Sequence, residues 1–245
     1  MPRYKLLLEY DGTTLVGWQR QAEGVSVQSL LEDAFEKLEE RGAFVQGAGR
    51  TDAGVHATGQ VGHVDLAKDW DPWRLCGGLN AHLKHAPVSV LDARRVDEDF
   101  HARFSATSRS YMYRLVVRNA PLVLDAHRAW RLPPPFDVDL MQEAAQVLLG
   151  THDFTSFRAS ECQATSPVRT LDRLDITEEN GDVRFFIEAR SFLHHQVRNF
   201  VGTLQLVARG RMTVAQFTDV LEAKDRRRAG PTAPACGLTL TGVGY

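Results

Sequence analysis

The sequence predicts an α+β protein made of two ferredoxin-like (β-α-β-β-α-β) halves, each an antiparallel sheet covered by helices on one face. Two observations carry that prediction. Strand-like and helix-like segments follow one another in the same order twice along 245 residues, and apolar stripes at helical spacing begin at recognisable caps. The composition, 43% hydrophobic and 24% charged, is that of a globular chain with a sizeable core.

The first half opens with RYKLLLEY, residues 3–10, a strand that ends at the Asp11-Gly12 turn. Val27, Leu30, Leu31, Ala34, Phe35 and Leu38 then form a helical stripe, with Ser26 as N-cap and Gly42 as the stop. Residues 44–48 read as a short strand, and 60–66 alternate apolar and polar as a longer one. Asp71-Pro72 is an N-cap followed by proline at the first helical position, which opens a helix to Leu83. Residues 88–96 close the half as a strand.

In the second half, residues 110–117 (SYMYRLVV) are a strand, and Asp137 caps a helix whose buried stripe includes Met141, Ala144 and Leu148. Residues 168–177 and 183–191 are strands joined near Asn180-Gly181, a hairpin signal. Residues 195–208 form a helix with Val197, Val201, Leu204 and Ala208 inward, Thr213 caps another to Ala223, and 238–243 closes as a strand. The seam lies near 100–108, so the expected domains are 1–105 and 106–245. Pro133–Pro135 reads as a stiff linker, and Arg226-Arg227-Arg228 as a solvated charge run.

Composition narrows the function. No apolar run reaches the ~20 residues of a membrane span, and the N-terminal residues run straight into a strand without a secretory pattern. Three scattered cysteines, Cys76, Cys162 and Cys236, give neither a disulfide framework nor metal-ligand spacing, and point to a reducing cytoplasm. Net charge is −2: residues 1–105 carry 12 basic against 16 acidic side chains, a net of −4, and the rest carry 17 against 15, a net of +2. Any nucleic-acid footprint is therefore a local patch and not a global field.

The chemistry concentrates in GRTDAGVHA, residues 49–57. Asp52 stands two residues after Arg50 and between Gly49 and Gly54. Glycines let backbone approach a ligand closely, and a nearby guanidinium favours the ionised carboxylate. That combination suits covalent or acid–base work on a nucleic acid; the same residues also fit an ordinary surface loop with a solvated ion pair. Asp11 before Gly12 reads as a turn former rather than one of a glycosidase-like carboxylate pair. His56 and His63 read as hydrogen-bonded sheet residues, and the adjacent His194-His195 as no metal site, since neighbouring helix residues do not share a face.

Six segments, in order, resemble the tRNA pseudouridine synthase A family: LEYDGTTLVGWQRQ (8–21), GRTDAGVHATGQVGH (49–63), FHARFSATSRSYMYRL (100–115), HDFTSFRASECQ (152–163), FLHHQVRNFVG (192–202) and AGPTAPACGL (229–238). The resemblance implies the pseudouridine synthase fold, with its site in the cleft between the halves. It implies isomerisation of uridine at positions 38–40 of the tRNA anticodon arm, with no cofactor and no metal. Asp52 matches the nucleophile, which attacks either ribose C1′ or uracil C6. Arg198 matches the arginine that pairs with that carboxylate, so the two are expected to meet. Tyr111 matches the tyrosine stacked on the target base, Arg50 the arginine that fills the flipped base's place, and Leu238 the aliphatic residue beneath the base. Phe100, His101, Arg103 and Phe104 match one tRNA-contacting segment; Glu161–Thr165, with Cys162 and Gln163, match another. The family also implies a homodimer with tRNA across both copies, and with a net charge of −2 the tRNA contacts then fall to a confined arginine strip, for which Arg103, Arg109 and residues around Arg198 are candidates. Without the resemblance, Tyr111 and Tyr113 are alternating strand residues, Arg198 a helix-face residue and Leu238 core. A non-catalytic RNA-binding module would need the aromatics and arginines but not Asp52. A nucleoside hydrolase would release free uracil.

Overall fold

A computed structural model describes residues 1–245 and divides into two compact units. The first comprises Met1–Thr107 with Thr239–Tyr245, the second Ser108–Leu238.

The first unit runs β1 (Arg3–Tyr10), α1 (Val27–Lys37), β2 (Gln46–Gly47), β3 (His56–Asp65), α2 (Pro72–Leu83) and β4 (Val88–Val96). β1 lies between β4 and β3 and is antiparallel to both, and β2 is antiparallel to β3. The outer edge of β3 is shared. β2 covers its end at Gly62 and His63, while the last strand, β10 (Leu238–Gly244), runs parallel to its start at His56 and Ala57. β3 is longer than its alternating stretch and is buried almost throughout, because both its faces and both its edges are covered. Tyr4, Leu6 and Leu8 of β1, Leu31 and Phe35 of α1, and Leu75 and Leu79 of α2 make the core.

The caps sit where the residue types place them. Ser26 accepts from the Ser29 amide and Asp71 from the Arg74 amide, with Pro72 at the first helical position. α1 stops before Gly42: its last turn is closed at Leu38, and Glu39 takes the left-handed conformation there.

The second unit contains β5 (Ser108–Val117), β6 (Trp130–Leu132), α3 (Val138–Gln146), β7 (Gly150–Asp153), β8 (Val168–Glu179), β9 (Asp182–Ala189), α4 (Gln196–Ala208) and α5 (Val214–Ala223). Its strands follow the order β5-β9-β8-β7, all antiparallel, with β6 parallel to β5. Asn180 and Gly181 both have positive φ and turn the β8–β9 hairpin. Thr213 and Gln216 form a reciprocal capping box for α5. Phe200 of α4 packs edge-on against Phe154 and Phe157, with centroids 5.2 and 5.0 Å away, and Phe157 meets Phe217 of α5. These fully buried rings fix where α4 lies. No helix is long and apolar enough to cross a membrane.

Candidate active site

The Asp52 turn is clamped from beneath by the segment that follows β1. Trp18 donates its amide to the Thr51 carbonyl, and Gly54 donates to the Leu15 carbonyl. Gly17 has φ +105, and a Cβ there would lie 2.5 Å from the Thr51 carbonyl oxygen, so only glycine lets the two loops touch. From the core side, fully buried Gln60 donates to the Gly49 carbonyl (3.0 Å) and to the Tyr10 hydroxyl (3.3 Å). Tyr10 and Thr51 share a hydroxyl–hydroxyl bond of 2.8 Å. Burial pushes the Tyr10 hydroxyl up to about 12, so it remains a protonated, structural group. Within the turn, Thr51 is buried, Asp52 half-buried and Arg50 exposed. The Val55 amide closes the turn on the Asp52 carbonyl.

Behind the turn, His56 is buried and its Nδ1 accepts the Gly12 amide, with Asp11 at 3.2 Å. Asp11 accepts from the Thr13 amide as the cap of a short helical turn. His63 is likewise a buried sheet residue whose Nδ1 accepts the Ala102 amide. Burial, with help from nearby His101 and Arg3, lowers its pKa to about 4. The 100–104 segment builds a stack on it. The His101 ring lies 4.6 Å from His63 and 4.4 Å from Phe104, and the Arg103 guanidinium sits 5.6 Å from the Phe104 ring. His101 Nδ1 accepts the Arg103 and Phe104 amides, which sets the turn. Phe104 is 72% exposed at the end of this stack. Phe100 is packed inward, 4.9 Å from the Tyr245 ring.

In the second unit, β5 separates its two tyrosines. Tyr113 is fully buried, and its hydroxyl donates to the Pro234 carbonyl at 2.9 Å. Tyr111 is half-buried, edge-on to Phe192 at 5.3 Å. Arg198 lies in the first turn of α4, half-buried, and its Nε donates to the Ala233 carbonyl at 2.8 Å while its own carbonyl accepts the Ala233 amide. The strap 229–238 is thus tied to α4 through Arg198 and to β5 through Tyr113, and it delivers Leu238, which is 6% exposed. Before α4, His195 takes a left-handed φ of +61 without being glycine. The 158–162 segment braces this entry: Ala159 donates to the His194 carbonyl, and the His194 amide donates to Cys162 Sγ. Burial alone would raise the Cys162 thiol, but the His194 and Ala164 amides and Arg158 draw it below its ordinary value. Gln163 is exposed.

Three sequence expectations change. His194 and His195 precede α4 instead of lying within it, and their rings are 3.9 Å apart, so the helix-face argument against a shared site does not apply to them. Arg109 is buried at 8% exposure and donates to the Arg190 carbonyl, so it does not belong to an exposed arginine strip. Arg226 is not part of a solvated run: it is folded onto the strap and α4, while Arg227 and Arg228 are exposed. Tyr10 and Gln60 are supports that the motif reading overlooked. Tyr10 bonds Thr51 from 41 positions away and Gln60 bonds Gly49 from 11, and only folding brings them together.

The α+β architecture, with its mostly antiparallel sheet pairing, is that of the pseudouridine synthases. The model of the tRNA pseudouridine synthase family matches residues 7–105 and 144–245, and the chain belongs to that family. It is 59% identical over its whole length, and over 96% of the relative, to a tRNA pseudouridine synthase A of Paramagnetospirillum magneticum. It is 55% identical to proteins of the same name from Azorhizobium caulinodans and Paracoccus denitrificans, again over the whole chain and over 95% and 97% of the relatives.

Proposed function

We propose that this protein isomerises uridine to pseudouridine at positions 38–40 of the tRNA anticodon arm, with Asp52 as the nucleophile. The observation that carries the reading is the Asp52 turn: a half-buried carboxylate on a backbone held at both flanks, beside an exposed arginine. The target base leaves its stack at a cost of a few kcal/mol. Arg50, exposed and planar, suits the space the base vacates and can bond the flanking phosphates. Tyr111, braced edge-on by Phe192, offers its face to the extruded uracil, with Leu238 beneath it.

Asp52 attacks C1′ or C6, the N1–C1′ bond breaks, the uracil turns, C5 bonds to C1′, and the bond to Asp52 breaks to return the free carboxylate. The C5 proton is lost and N1 ends protonated, so the product is an isomer and needs no oxidant or cofactor. Arg198 serves as the electrostatic partner of the carboxylate in this scheme. Residues 1–105 supply the nucleophile and residues 106–245 supply Tyr111 and Arg198. The exposed Phe104 and Arg103, stacked on His101, suit an unpaired base and a phosphate, and Gln163 with Cys162 lies on a second contact segment. The enzyme works as a cytoplasmic homodimer with tRNA across both copies, which pools the scarce positive charge of a chain with net charge −2.

The test is tritium release from tRNA labelled at uracil C5. Asp52→Asn is expected to fold, bind tRNA and release none; full release by that variant overturns the assignment. Release of free uracil instead of an unchanged RNA mass would mark a hydrolase.

A further inference from the structure

Arg226 stands apart from the two arginines that follow it. Arg227 pairs with Asp225 at 2.8 Å at the surface, and Arg228 is exposed. Arg226 turns inward and spreads its guanidinium over four acceptors: the Gly230 carbonyl at 2.8 Å and the Ala229 carbonyl at 3.5 Å through one nitrogen, and Asn199 Oδ1 and Thr232 Oγ1, both at 3.1 Å, through the other. Asn199 is fully buried, one residue after Arg198 on α4. Its amide nitrogen donates to the Phe157 carbonyl and its oxygen also accepts the Thr232 hydroxyl. Thr203, one turn on, donates to the Asn199 carbonyl and accepts the Gly230 amide. The strap and this face of α4 thus share one hydrogen-bond network, in which Arg226 bonds strap residues 230 and 232 and Asn199 at once.

We infer that Arg226 is a positioning residue for the isomerisation: it locks the strap onto Asn199 and so fixes Arg198, whose Nε is held by Ala233 of the same strap. A planar guanidinium spreads its donors over separate nitrogens and so reaches acceptors on two segments at fixed geometry, whereas an ammonium gathers its donors at one point. This rests on the reading of Arg198 as the nucleophile's partner, and the experiment separates the two. Single-turnover rates, tRNA affinity and melting temperature are measured for Arg226→Ala, Arg226→Lys, Arg198→Lys and the Arg226→Ala/Arg198→Lys double variant.

Arg226→Ala is expected to slow turnover about tenfold to a hundredfold, with tRNA affinity within about twofold of the parent, as for a misplaced group rather than a lost phosphate contact. Arg226→Lys rescues little. In the double variant the two losses are not multiplied, because Arg226 acts through Arg198. Multiplied losses, unchanged turnover in Arg226→Ala, or a loss confined to tRNA affinity each overturn the inference. Full activity of Arg198→Lys and of Arg198→Ala overturns the Arg198 reading instead. Should Arg226→Ala fail to fold, Thr232→Val, which removes one acceptor from the clamp, is expected to slow turnover in the same way at unchanged tRNA affinity.

Discussion

Gly202 is where the strap touches α4 most closely, and replacing it by alanine tests how tightly the strap positions Arg198. A Cβ at 202 would lie 1.7 Å from the Pro231 carbonyl oxygen and 3.0 Å from the Ala233 amide nitrogen. An ordinary contact between such atoms is roughly 3.4 Å, so the strap must retreat by roughly 1.7 Å. That retreat strains three bonds: Gly230 amide to Thr203, Ala233 amide to the Arg198 carbonyl, and Arg198 Nε to the Ala233 carbonyl. At about 1 kcal/mol each the loss is about 3 kcal/mol, against about 1 kcal/mol gained because alanine favours a helix interior over glycine. The net destabilisation, about 2 kcal/mol, lowers the melting temperature by about 4–8 °C in a chain of this size. Displacing Arg198 by more than 1 Å slows tritium release by about a hundredfold. The paired measurement is a thermal melt and a single-turnover assay on Gly202→Ala. A higher melting temperature with full turnover would mean that helix propensity is the whole effect, and the argument from strap contact would fail.

Three further outcomes are expected. Tyr10→Phe removes the hydroxyl between Thr51 and Gln60 and leaves two buried polar groups short of a partner. It should cost about 1–3 kcal/mol by denaturant titration and slow turnover, while a neutral result would show that the turn is held without it. His63 is neutral in the fold, with its pKa lowered from 6.5 to about 4, so the unfolded chain binds its proton first as pH falls. Stability contributed by His63 is present above pH 6.5 and is lost between pH 6.5 and about 4, by up to about 3 kcal/mol. Asp65 and Arg3 lie near it, so the measurement is the difference between parent and His63→Asn, in which that part of the slope disappears. Asp52→Asn should leave the melting temperature within a few degrees of the parent while abolishing tritium release, and a collapsed fold would make Asp52 a structural residue.

Much of the fold was legible because its signals are local. Caps at Ser26, Asp71, Asp137 and Thr213, the proline at 72 and the Asn180-Gly181 turn act on amides one to three residues away, so their meaning does not depend on the rest of the chain. β6 and β7 were not legible. Three and four residues, WRL and GTHD, carry no period, and they are strands only because β5 and β8 offer them an edge.

The sequence by itself determined the α+β class, the helix starts and the GRTDAGVHA turn as the place for chemistry, since each rests on short-range periodicity or on residue types set side by side. Tertiary structure alone decided which arginines are buried, that Tyr10 and Gln60 carry the turn, and that Arg226 belongs to a strap rather than to a charge run. Those outcomes depend on which distant atoms desolvate a side chain and complete its hydrogen bonds. Nothing in three adjacent arginines distinguishes the one that will find Asn199, 27 positions earlier, from the two that meet water.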